Sequence, residues 1–301
     1  MSSLEGLSES DRRRLADIGP VWGSDIPKHR DIVLQAYRPL LEAAPKAGVQ
    51  VARDIAYGSH ERQVLDVYRP RESRAAPIVL FVHGGAFVRG DKDIDGEVYA
   101  NVLYYFARHG YVGLNMEYRR APEFAYPCGA HDVAGAVAWA KANAAQLGAD
   151  PQRIFVVGHS AGGTHVASYA YDPAARPAVD PAVQGVVLIS ARLRADVLPG
   201  NPNAEPVRAY FGADESKFEE RSPLVHAAQS PLPVFIAIAE YENPYLDVYG
   251  AELLHRIAVA RGHAPRFLRL AAHNHISIVA HINTDEDVLG LQMREFMESG
   301  R

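Results

Sequence analysis

Ser160 stands in the run Gly158-His159-Ser160-Ala161-Gly162-Gly163, a G-x-S-x-G spacing. A β-favouring stretch, 153–157, leads into it, and a helix-forming stretch to Tyr171 leads out. A strand that turns sharply into a helix at a serine holds the hydroxyl on a strained corner, and flanking glycines let strand and helix pass close together. A serine hydroxyl is a poor nucleophile at neutral pH. To attack a carbonyl it needs a general base, a group that orients the base, and donors for the oxyanion that forms.

The chain supplies candidates for each. A strand expected over 266–270 is followed by His273 and His275, just past the strand's carboxyl end, where open α/β sheets place their sites. His275 is the chosen base and His273 the fallback. The preceding strand, 234–239, runs into Glu240, Glu242 and Asp247. Glu240 is still at the strand's edge. Asp247 falls in the first turn of the next helix, where the helix dipole alone explains a carboxylate. Glu242 lies in the loop between and is the chosen acid, with Asp247 its competitor. Such a carboxylate fixes the imidazole tautomer and stabilises the imidazolium. The apolar run 78–82, read as a buried central strand, leads into His83-Gly84-Gly85-Ala86-Phe87. Backbone amides at this glycine turn, with that of Ala161 after the serine, are the candidate oxyanion donors. A histidine base predicts a rate that rises through about pH 6 to 7.

These residues need a scaffold. From about residue 78 onward, strand and helix patterns alternate, which implies a mostly parallel sheet covered on both faces. Segments 49–55 and 64–68 read as a hairpin. Residues 1–50 are loosely amphipathic and cut into short helical pieces by Pro20, Pro27, Pro39 and Pro45. They read as a lid on a catalytic domain of residues 51–301, with Trp22 a candidate anchor. Residues 191–229, rich in Pro, Asn and Gly and long for a connection, read as an insertion that joins this cap.

Composition narrows the function class. The 301 residues carry a formal net charge of −5, so no basic footprint points to nucleic acid. No apolar run reaches the ~18 residues of a membrane span, and the polar amino terminus lacks the apolar core of a secretory signal. A cytoplasmic enzyme is the expectation, with a homodimer left open. The single cysteine, Cys128, excludes an intrachain disulfide and reads as a small buried residue.

Three stretches in order, His83 to Phe87, Tyr118-Arg119-Arg120-Ala121-Pro122-Glu123 and Gly158 to Gly163, resemble the hormone-sensitive-lipase-like carboxylesterases of the α/β-hydrolase fold. The resemblance covers roughly residues 60–300. It implies an eight-stranded, mostly parallel sheet with a small helical cap. It puts the oxyanion donors on Gly85 and Ala86, with Gly84 shaping the turn, and makes Asp132 structural. Three departures stand out. Ala86 replaces the usual third glycine, Glu242 stands where aspartate is commoner, and 273–277 is closer to kynurenine-formamidase-like and feruloyl-esterase-like relatives.

The expectation is a serine carboxylesterase that hydrolyses small, fairly apolar esters, with no cofactor and no metal. An arylformamidase or amide hydrolase with the same triad is the alternative, followed by a non-catalytic small-molecule-binding protein on this fold. Phe87, His159, Tyr126 and Tyr210 are candidate pocket residues, with core packing the competing role. The acidic run Asp91, Asp93, Asp95 mimics a calcium loop, but Val102 stands where its bidentate glutamate belongs. It reads as a solvated loop at the site mouth whose charge would disfavour anions.

Overall fold

The computed structural model describes residues 4–175, 180 and 182–299. The chain runs α1 (Glu9–Ile18), α2 (Ile26–Ala43), β1 (Val49–Ala56), β2 (Val64–Pro70), β3 (Ala76–Val82), α3 (Ala100–Arg108) and β4 (Val112–Met116). It continues through α4 (Cys128–Leu147), β5 (Ala149–His159), α5 (Ala161–Tyr171), β6 (Val183–Ile189), α6 (Ala204–Phe211) and α7 (Phe218–Arg221). It closes with β7 (Val234–Tyr241), α8 (Leu246–Arg261), β8 (Arg266–Asn274), α9 (Ser277–Ala280) and α10 (Val288–Ser299). The strands form one eight-stranded sheet in the order β1-β2-β4-β3-β5-β6-β7-β8. β2 pairs antiparallel with both β1 and β4, and every other pairing is parallel.

Burial on both faces follows from the period-2 geometry of a strand. In β3, Ile78, Leu80 and Val82 join one core with α4, α5 and α8, while Val79 and Phe81 join a second with α3 and α10. No position of the strand's inner half faces water, so the sequence there is continuously apolar rather than alternating.

The amino-terminal segment is less fragmented than its prolines suggest. α2 runs unbroken through Pro27 and Pro39. Pro27 occupies the first turn, where no helical N–H bond is lost, and Asp25 caps that end by accepting from the Lys28 amide at 3.2 Å. Pro39 removes an interior bond but is exposed, so water can satisfy the freed carbonyl of Gln35. The helix is held instead by its buried face of Val33, Ala36, Tyr37 and Leu41, which belongs to the second core. α3 begins at Ala100, after the chain from Ile94 to Val98 has closed a small bridge. Residues 191–229 hold α6, α7 and three short 3-10 turns, and pack through Val207, Tyr210, Phe211 and Phe218 onto Phe87 and Ala161.

Candidate active site

The carboxyl ends of β3, β5, β7 and β8 bring the site together. β5 ends at His159 and α5 begins at Ala161, leaving Ser160 alone at the corner with φ 56° and ψ −121°. A side chain at positive φ is strained by about 1–3 kcal/mol. The position is over-determined by the Ser160 amide, which donates to the Ile189 carbonyl at 3.0 Å, and by the amides of Thr164 and Arg192, which donate to the Ser160 carbonyl at 3.3 Å. Gly162 has no room for a side chain: a Cβ there would lie 2.2 Å from the Val82 carbonyl oxygen. This is the close strand–helix passage that the G-x-S-x-G spacing implied.

His275 Nε2 lies 3.0 Å from Ser160 Oγ, and its Nδ1 lies 2.8 Å from Glu242 Oε2. The second carboxylate oxygen, Oε1, accepts from the Ala239 amide at 2.8 Å and from the Ser190 hydroxyl. Glu242 and His275 are almost fully buried, with side chains 2% and 6% exposed, while Ser160 opens to the solvent side. Of the competing acids, Asp247 is exposed on α8, and Glu240 is spent on the Ala272 amide at 2.7 Å and on Arg269. The fallback base, His273, is fully buried. It contacts Ser277 Oγ and Glu286 Oε1, each at 3.1 Å.

Gly85, at φ 150°, lets the chain double back so that the Arg89 amide reaches the Gly85 carbonyl at 3.0 Å; a Cβ there would sit 1.8 Å from the Arg89 carbonyl oxygen. Ala86 follows at φ 48°, a left-handed conformation that suits the glycine it replaces. Gly84 does not share the donor role first grouped with it, because its amide already donates to Tyr99 Oη at 3.2 Å.

Tyr99 carries no sequence signal that marks it, yet it links both sides of the site. The His159 Nε2–H donates to the His275 carbonyl at 2.9 Å, which leaves Nδ1 as acceptor of the Tyr99 hydroxyl at 3.0 Å. The chain of bonds therefore runs from the Gly84 turn through Tyr99 and His159 to the backbone of His275. Burial, followed by the neighbouring His275 charge, holds His159 well below the usual imidazole range, so it bridges as a neutral ring. Burial also pushes the Tyr99 hydroxyl up, to about 12.

These residues floor a cavity of about 510 Å³. Trp22, Ile26, Pro27 and Arg30 of the amino-terminal segment, and Asn203 of the insertion, form part of its wall. Trp22 is buried and donates its indole N–H to Asn243 Oδ1 at 2.8 Å, tying that segment to the loop that carries Glu242. Among the pocket candidates only His159 lines the cavity. Phe87 and Tyr210 are stacked 4.6 Å apart in the core beneath the insertion, and Tyr126 packs beside them and donates to Asp172 at 2.5 Å. Aromatic surface is better buried there than exposed at a rim. Cys128 is half-buried at the start of α4 rather than in the core. Asp132 is fully buried and accepts from the Arg119 amide at 2.8 Å and from Gln63 at 2.9 Å.

The acidic loop does not present its charge to the site. Asp91 pairs with Arg120 at 2.5 Å and Arg62 at 3.3 Å, Asp95 with Arg38 at 2.7 Å, and Asp93 with Arg53 at 3.7 Å. Burial raises the Asp93 carboxyl pKa as well. Among the described residues no cluster of histidine, cysteine or carboxylate side chains could hold a metal ion. No helix among them is long and apolar enough to cross a membrane. A larger recess, of about 1010 Å³, lies at the amino ends of β7 and β8, and among the described residues no carboxylate lines it.

An eight-stranded sheet in this order, with a serine, a histidine and a carboxylate at the ends of β5, β8 and β7, defines the α/β-hydrolase class. Residues 65–180 match the family model described as BD-FAE. Esterase LipC of Mycobacterium tuberculosis is 43% identical over 113 residues, 37% of this chain and 27% of its own. Versiconal hemiacetal acetate esterase of Dothistroma septosporum is 30% identical over 55% of this chain and 48% of its own. The matches thus span from about a quarter to about half of the length of these relatives. The same fold over nearly the whole chain appears in esterase B of Lactobacillus rhamnosis, with TM-score 0.74, 18% identity and coverage of 97% of this chain and 96% of that one. It appears again in the hyperthermophilic esterase of Pyrobaculum calidifontis, with TM-score 0.71, 24% identity and coverage of 97% and 98%. The chain has the α/β-hydrolase fold, and over part of its length its sequence is similar to that of curated esterases.

Proposed function

We propose that the protein is a serine carboxylesterase that hydrolyses small carboxylic esters through an acyl-enzyme. One observation carries this reading: the His275 ring bridges Ser160 Oγ and Glu242 Oε2 at hydrogen-bond distance on the floor of an open cavity. His275 Nε2 takes the proton as Ser160 Oγ attacks the carbonyl, and Glu242 stabilises the imidazolium through Nδ1–H. The amides of Gly85, Ala86 and Ala161 receive the oxyanion, aided by the amino end of α5. His275 then returns the proton to the departing alkoxide. Water, activated by the same ring, attacks the acyl-enzyme and releases the acid. Residues 1–50 and 191–229 serve as the cap over the 51–301 catalytic unit, since both contribute to the cavity wall.

Reaction with an organophosphonate and intact-mass measurement tests the reading directly. The expected result is one phosphonyl adduct on Ser160, lost in Ser160→Ala together with hydrolysis of a p-nitrophenyl acyl ester. Retained turnover in Ser160→Ala would overturn it. Matched ester and amide substrates, compared side by side, establish which leaving group the site prefers.

A further inference from the structure

The charge on the cavity wall is one-sided. Arg30, from α2, and Arg89, from the loop after β3, both line it, and among the described residues no aspartate or glutamate does. The acidic loop beside them has its carboxylates paired with other cations. Among the described residues the Arg89 guanidinium donates only to the neutral Asn203, at 3.3 Å. Arg30 lies 3.5 Å from Asp31, its neighbour on the same helix and itself 63% exposed. The positive charge of Arg30 also reaches the floor of the site, where it acts to lower the Tyr99 hydroxyl pKa. The remaining wall from Trp22, Ile26 and Ile276 is apolar. A guanidinium presents several donors in a plane and matches a carboxylate better than any neutral group does.

We propose that Arg30 and Arg89 recognise a carboxylate, so that the preferred substrate is an ester with an apolar body that also carries an anionic carboxyl group. This narrows the esterase reading above and rests on it. The esters supplied to such a site are half-esters of dicarboxylic acids, or acylated hydroxy acids.

The test compares kcat/KM for charged and neutral isosteres. 4-Acetoxybenzoate against 4-acetoxybenzamide places the charge on the alcohol side, and monophenyl adipate against phenyl adipamate places it on the acyl side. Dividing the two rates cancels general damage to the fold. On at least one arm, the charged-over-neutral ratio is expected to fall roughly threefold in Arg30→Ala or Arg89→Ala and about tenfold in the double variant, as for exposed ion pairs. Arg30→Lys should keep most of the ratio, and salt at about 0.5 M should compress it. A ratio that is the same in wild type and double variant on both arms would sink the proposal. If no ester is cleaved at all, the esterase reading fails instead. Calorimetric binding of 4-hydroxybenzoate against 4-hydroxybenzamide then decides this one: equal affinity overturns it, and a preference lost in the double variant upholds it.

Discussion

His273 and His275 stand two residues apart at the end of β8, and each sits between a serine and a glutamate. His275 joins Ser160 to Glu242, and His273 joins Ser277 to Glu286. Residue types and contact distances are nearly the same, yet the surroundings differ in each respect that matters for reactivity. Ser160 is held at positive φ beside an open cavity, whereas Ser277 begins a short helix, is fully buried, and has its hydroxyl occupied by the Asn274 amide at 2.9 Å. The rings are reversed as well: His275 offers Nε2 to its serine, and His273 offers Nδ1. Glu286 also accepts the Leu4 amide at 3.1 Å, so the second triplet ties the amino terminus to the loop that carries His275. Three residue types in contact do not make a nucleophile. Access to substrate and a strained presentation of the hydroxyl do.

The largest effect separates the two serines. Ser160→Ala is expected to lower kcat for a p-nitrophenyl ester by on the order of 10⁴ or more, whereas Ser277→Ala should leave kcat within about tenfold and show its effect in thermal unfolding. Equal losses would erase the distinction between the triplets. The two carboxylates come next. Glu242→Ala should reduce kcat on the order of 10⁴-fold. Asp247→Ala, on an exposed helix face, should stay near wild type, and the reverse order would move the acid to Asp247. Tyr99→Phe removes the hydroxyl that joins the oxyanion turn to His159, and is expected to reduce kcat roughly tenfold with KM little changed, read by steady-state kinetics.

Removing Glu286 instead weakens the fold. Glu286→Gln leaves the buried His273 pair broken and should destabilise by about 3 kcal/mol at neutral pH, measured by urea unfolding. Burial raises the Glu286 carboxyl pKa, but the His273 hydrogen bond and charge outweigh it, so the net shift is downward. A lowered carboxylate pKa stabilises the fold above the ordinary carboxylate range of about 4 and loses that contribution as pH falls through it. The gap between wild type and variant should therefore close with acid.

The last effect concerns a histidine outside both triplets. His165 is held at a pKa of about 3 by burial, and neither ring nitrogen has a hydrogen-bond partner among the described residues. The unfolded chain binds protons there below about 6.5 while the native state does not, so stability falls as pH drops from about 6.5 towards 3. His165→Leu should flatten that acid limb in a series of thermal melts.

Much of this was legible before any fold was in view. The central strand 78–82 is apolar at every position because both faces are covered, and the serine corner announces itself through glycines that no other residue could replace. Glu242 stood out because it occupies the loop between β7 and α8. The aromatic pocket was misread for a different reason: Phe87 and Tyr210 stack on each other across 123 positions of chain, a contact that no local pattern encodes. Pro39 misled similarly, since an exposed proline is tolerated in a helix anchored by its other face.

By itself, then, the sequence determined the fold class, the serine corner and the order of the residues that meet it, because these depend on short motifs and on periodicities that act over a few residues. The tertiary structure decided which of two adjacent histidines meets Ser160, which carboxylate meets the histidine, and which charges face the cavity. Those outcomes depend on where distant segments dock, on how much of each side chain is buried, and on whether a carboxylate has found a cation elsewhere. Tyr99, Asn243, Ser190 and Arg30 enter the site only through that docking.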